Sequence, residues 1–172
     1  MPATAKPPVL LVDDEPDMLF SLEGLLRRNF EVHAAEGGAA ALEMLSRQGV
    51  HVIVTDQRMP GMTGAEFLRR AQEIRPDAVP ILLTGYADIR AVIDAVNHGH
   101  LFRYLTKPCD PDDLIATIAE AAERYARRTD HRRLLADARM FIEQAASALP
   151  EGDWPRRARA LTERLSAISD NI

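Results

Sequence analysis

An alternation constrains this chain more than any other feature of its sequence. Five short apolar runs rich in Val, Ile and Leu, at 9–12, 30–34, 50–55, 80–83 and 101–105, are separated by longer segments of a different period. In those segments, at 17–29, 38–48, 64–74 and 88–98 with a fifth from 112 onward, apolar residues recur three or four positions apart. The runs read as strands and the segments as amphipathic helices. Strict β-α alternation implies parallel strands joined by right-handed crossovers, with helices on both faces of the sheet. The run 50–55 is the most strand-like, as a central strand buried on both faces should be. In open sheets of this kind the functional site lies beyond the carboxyl ends of the strands. That rule selects Asp13, Asp14, Asp56, Thr84 and Lys107.

After about residue 128 the alternation stops. Leu134, Leu135, Ala138, Phe141, Ile142, Ala145 and Leu149 follow the helical period, as do Leu161, Leu165, Ile168 and Ile172. Between the two stripes, Pro150, Gly152 and Pro155 end one helix and start another. The expected organisation is a short tail over 1–7, an α/β domain over 8–127 and a helical hairpin over 128–172.

Composition narrows the function classes. A chain of 172 residues suits one domain with an appendage, and 47% hydrophobic residues suffice for a core. A net charge of −5 gives no overall basic field to gather nucleic acid or anionic lipid. The single cysteine, Cys109, excludes an intramolecular disulfide and any multi-cysteine metal site. No apolar run approaches the roughly 20 residues that span a bilayer, and the N-terminus lacks a signal-peptide core. A cytoplasmic location is the expectation.

The five selected residues have complementary chemistry. Asp13 and Asp14 after the first strand and Asp56 after the third concentrate negative charge that a cation must offset. Mg²⁺, which prefers hard oxygen ligands, fits best. A carboxylate held there can also attack a phosphoryl group to give an acyl phosphate. Thr84 offers a hydroxyl and Lys107 a positive charge to the phosphoryl oxygens. Of 21 basic residues only Lys6 and Lys107 are lysine. A compact ammonium, unlike a guanidinium fork, suits a tight phosphate site.

The stretches Leu11-Val12-Asp13-Asp14-Glu15-Pro16, Thr55-Asp56-Gln57-Arg58-Met59-Pro60-Gly61-Met62-Thr63-Gly64, Leu83-Thr84-Gly85-Tyr86 and Tyr104-Leu105-Thr106-Lys107-Pro108 resemble the receiver domain of two-component response regulators. The resemblance covers about residues 7–127. It implies a flavodoxin-like, doubly wound five-stranded parallel sheet of order 2-1-3-4-5, here with a C-terminal helical extension. It also implies that Asp56 is the phosphoacceptor and that Asp13, Asp14, Asp56 and the backbone carbonyl of Arg58 hold Mg²⁺. Thr84 and Lys107 would complete the catalytic set around the phosphoryl group, with Thr84 and Tyr104 forming the switch. Arg58 and Tyr86 occupy the positions that flank the phosphoryl group in the family. A cis peptide before Pro108 is common there as well.

The implied phosphodonor is a sensor histidine kinase or phosphotransfer protein. No separate catalytic output domain is expected. A haloacid dehalogenase-type phosphatase would need a second aspartate where Arg58 stands, and neither a phosphate-binding glycine loop nor a Gly-x-Ser-x-Gly turn is found. The output expected is homodimerisation through the C-terminal helices or the receiver surface. The alternative is a DNA-binding transcriptional regulator acting through the cluster Arg156-Arg157-Ala158-Arg159. Eight arginines against seven acids over 128–172 argue against nucleic acid.

Overall fold

The computed structural model describes residues 5–85, 101–148 and 153–169. The helical run read at 88–98, Tyr86, and residues 149–152 of the expected helix break lie outside them. Five parallel strands, β1 Pro8–Asp13, β2 Glu31–Glu36, β3 Val52–Asp56, β4 Val79–Thr84 and β5 Arg103–Thr106, form one sheet in the order β2-β1-β3-β4-β5. The helices are α1 Pro16–Leu26, α2 Gly38–Arg47, α3 Gly64–Ile74, α4 Pro111–Ala148 and α5 Trp154–Ser169. No described helix is long and apolar enough to cross a membrane.

The two-residue period of the strands divides the core in two. Val9, Leu11, Val52, Val54, Val79, Ile81 and Leu83 pack with Leu19 and Leu26 of α1 and with Leu114 and Ile118 of α4. The intervening residues Leu10, Val12, Ile53 and Leu82 pack with Ala41 and Leu45 of α2 and with Phe67, Leu68 and Ala71 of α3. The central strands are therefore buried on both faces, which explains their uninterrupted apolar sequence. Helix α1 stops at Leu26, three residues before the expected end, because the N–H groups of Asn29 and Phe30 turn back onto the Leu26 carbonyl. The expected strand at 101–105 shifts to Arg103–Thr106 and is mostly exposed, since it pairs only with β4 among the described strands.

The described chain divides into two compact units, residues 1–125 and 126–172. Helix α4 carries residues of both. What reads in sequence as a last sheet-covering helix followed by a first hairpin helix is one uninterrupted element, with no proline or glycine between Pro111 and Ala148 to break it. In the second unit Leu135 and Leu165 line a common crevice, and Arg139 hydrogen-bonds the Ser166 hydroxyl at 3.3 Å.

Candidate functional site

The site is built where three strands end. Asp13 closes β1, Asp56 closes β3, and Lys107 follows β5. The Lys107 ammonium lies 3.0 Å from Asp13 Oδ2 and 2.6 Å from Asp56 Oδ1, bridging two carboxylates. Both carboxylates are nearly out of water, Asp13 at 2% and Asp56 at 8% exposure. Burial works against the Lys107 charge, but hydrogen bonds and Coulomb attraction from Asp56 and Asp13 outweigh it and raise its pKa above the ordinary lysine value. The peptide bond between Lys107 and Pro108 is cis, as the resemblance implies.

Backbone groups fix the two carboxylates. The Glu15 N–H donates to Asp13 Oδ1 at 3.0 Å, and the Arg58 N–H donates to Asp56 Oδ2 in a short contact. Thr84, buried at the end of β4, donates its hydroxyl to the Gly85 carbonyl at 3.2 Å, and its own carbonyl accepts from the Lys107 N–H at 2.8 Å. Strand pairing thus ties the hydroxyl and the ammonium to neighbouring backbones. Tyr104 stands about half exposed on β5.

Asp14 differs from the two buried acids. One residue beyond the strand, it falls on the opposite parity from Asp13 and is exposed. Among the described residues no three acidic, His or Cys side chains cluster closely enough to hold a metal. Even so, the donor chemistry fits a hard divalent cation. Two buried carboxylates face one ammonium, a net negative charge remains, and Asp14 adds an unburied carboxylate in the adjacent position.

Two residues that sequence reasoning gave no role hold the loop after Asp56. A Cβ on Gly64 would lie 2.2 Å from the Asp56 carbonyl oxygen, so α3 can begin this close to the acid only at a glycine. Gln57 is buried, and its side-chain oxygen accepts from the Ala65 N–H at 3.1 Å. Neither had a signal beyond its place in the quoted motif. Thr63 completes the junction as the N-cap of α3, in a capping box with Glu66.

Several known proteins are similar to this chain. The family described as response regulator receiver domain matches residues 9–119. The hydrogenase transcriptional regulatory protein HoxA of Cupriavidus necator is 35% identical over 170 residues, 94% of this chain and 35% of that protein. The transcriptional regulatory protein GlrR of Escherichia coli is 34% identical over 158 residues, 84% of this chain and 35% of that protein. The chain therefore spans about a third of the length of these curated relatives. Among solved structures, an adenylate cyclase from Rhodopirellula baltica superposes with a TM-score of 0.74 at 38% identity, covering 76% of this chain and 98% of that one. A response regulator receiver domain protein from Clostridium thermocellum gives 0.65 at 32% identity, covering 69% and 95%. With the sheet order, the buried acid pair and its bridging lysine all in place, the match over 9–119 makes this chain a member of the response regulator receiver domain family.

Proposed function

We propose that residues 8–127 act as the phosphoacceptor of a two-component relay and that residues 128–172 are its output extension. The observation that carries this reading is the Lys107 ammonium spanning Asp13 and Asp56, groups that meet only because three separate strands end together. Asp56 attacks the phosphorus of a phosphohistidine or a small acyl phosphate. One Asp56 carboxylate oxygen forms the new bond to phosphorus, the bond to the leaving group breaks, and that group departs with the electron pair. Asp13, Asp14, Asp56 and the Arg58 carbonyl are the proposed Mg²⁺ ligands, and the ion supplies charge neutralisation between carboxylate and phosphoryl oxygens. Lys107 already neutralises Asp56 in part, and on phosphorylation its ammonium turns to the new oxygens. Thr84 exchanges the Gly85 carbonyl for a phosphoryl oxygen, and Tyr104 follows inward.

The donor is a histidine kinase or phosphotransfer protein in the cytoplasm, and the output is a homodimer or a changed protein-binding surface. In the test, acetyl phosphate with Mg²⁺ should label wild type and leave Asp56→Asn unlabelled. Labelling of Asp56→Asn, or of wild type in excess chelator, refutes the assignment.

The names of the relatives favour a second reading, a transcriptional regulator. Its candidate contacts are the exposed Arg156, Arg157 and Arg159 of α5, of which Arg156 is already paired with Asp153 at 2.6 Å. Salt-sensitive DNA retention lost on replacing these arginines would support it.

A further inference from the structure

The first turn of α3 carries N–H groups that the helix itself cannot satisfy. The Gly64 N–H donates to the Gln57 carbonyl at 3.0 Å, and the Ala65 N–H donates to Gln57 Oε1 at 3.1 Å. Thr63 Oγ1 takes the Glu66 N–H, and the Phe67 N–H donates to the Thr63 carbonyl. Gln57 therefore receives two successive N–H groups of the helix on one residue. On its other side, the Gln57 N–H donates to the Leu83 carbonyl at 2.9 Å, extending the β3–β4 pairing one residue past Asp56. Gln57 is 6% exposed, so these bonds form where water does not compete well.

The consequence falls on Arg58. Its N–H holds Asp56 Oδ2, and its carbonyl is the proposed backbone ligand for the cation. Arg58 begins the segment that leaves Gln57 and returns to it at Gly64 and Ala65. A loop pinned at both ends by one residue has fewer conformations open to it, and the direction of its first peptide groups is set by the pin. An apolar side chain of the same size would fill the space and leave the Ala65 N–H without its acceptor.

We propose that Gln57 is a positioning residue for the phosphoacceptor site. By closing the loop onto the start of α3, it sets the orientation of the Arg58 peptide and thus the affinity for the divalent cation and the rate of phosphoryl transfer. The inference rests on the phosphoacceptor reading for its transfer arm only; the clamp itself is read independently.

The experiment uses the full chain with Gln57→Met, which conserves volume and removes the acceptor, and Gln57→Glu, which keeps an acceptor. Three quantities are read: hydrogen exchange of the Ala65 and Arg58 amides, the Mg²⁺ concentration at half-saturation, and the labelling rate with acetyl phosphate at saturating Mg²⁺. Gln57→Met should speed exchange at Ala65 and raise the Mg²⁺ requirement about tenfold, with a matching loss of rate. Its thermal midpoint should fall by only a few degrees, the cost of one N–H left without an acceptor. Gln57→Glu should restore Ala65 protection and need no more Mg²⁺ than wild type. Unchanged Ala65 exchange and unchanged Mg²⁺ half-saturation in Gln57→Met overturn the proposal. If wild type itself takes no label on Asp56, the phosphoacceptor reading fails, while the exchange and Mg²⁺ data still decide the role of Gln57.

Discussion

In residues 1–125, Phe67 and Ile118 are sealed on all sides. In residues 126–172, Leu134 and Phe141, no less apolar, are 68% and 71% exposed. The first unit has an apolar cluster on each face of its sheet, whereas Ala158 is the one fully buried residue among those described in the second. Both helical systems are amphipathic, so amphipathicity alone does not tell which helix has found its partner. Spacing does not separate them either, since Leu114, Ile118 and Ala121 on the covered face of α4 are also four and three apart. Leu134, Ala138, Phe141, Ala145 and Ala148 recur at alternate steps of four and three, the repeat of a seam between helices. Leu135 and Ile142, one position on, are partly buried. Ala138 and Ala145 are partly buried too, so what sets the second unit apart is two large apolar side chains, Leu134 and Phe141, left in water.

That contrast can be broken by substitution. Phe67→Ala should cost about 3–5 kcal/mol in urea unfolding, since a fully enclosed ring leaves a cavity that the sheet cannot close. Phe141→Ala should change stability of the monomer by no more than about 0.5 kcal/mol. It should instead lower self-association, read as molecular mass in solution at increasing concentration. Equal losses of stability in the two variants would end the distinction between the units.

A smaller effect is expected at the junction with the site. Gly64→Ala places a methyl against the Asp56 carbonyl and should cost about 1–3 kcal/mol through a forced backbone shift. Labelling of Asp56 should fall further than stability does, because the shift moves the acceptor's own peptide. A variant that melts early but labels normally would separate loop geometry from acceptor chemistry.

The smallest effect concerns pH. His51 stacks on Tyr125 with ring centres 3.9 Å apart, and burial lowers its pKa from the ordinary value of 6.5 despite the opposing charge of Glu31. The unfolded chain then takes up the proton first as pH falls below that value. Folded stability contributed by neutral His51 is thus present above about pH 6.5 and is lost as pH falls through the depressed folded value. Comparing wild type with His51→Gln from pH 7.5 to 5 should show a shallower acid-side decline in the variant. A parallel decline in both would remove His51 as its source.

Much of the sheet domain was legible because each central strand is buried on both faces and so carries its burial in its sequence. The meeting of Asp13, Asp56 and Lys107 followed from strand ends alone, given parallel order. What the sequence concealed depends on distances across the fold. Asp14 looks identical to Asp13 in composition, yet one step of strand parity separates a buried acid from an exposed one. Gln57 reads as an ordinary polar loop residue until the start of α3 is placed beside it. The length of α4 was hidden for a different reason. The change from sheet-covering helix to hairpin helix leaves no breaker behind, so no residue marks it.

The bridge between Lys107 and the two acids has a consequence for how the chain comes into being. Asp13 and Asp56 are synthesised well before Lys107, and neither acid has its counter-charge until β5 has joined the sheet. The charge balance of the acid pair therefore depends on completion of the sheet, not on any neighbour in sequence.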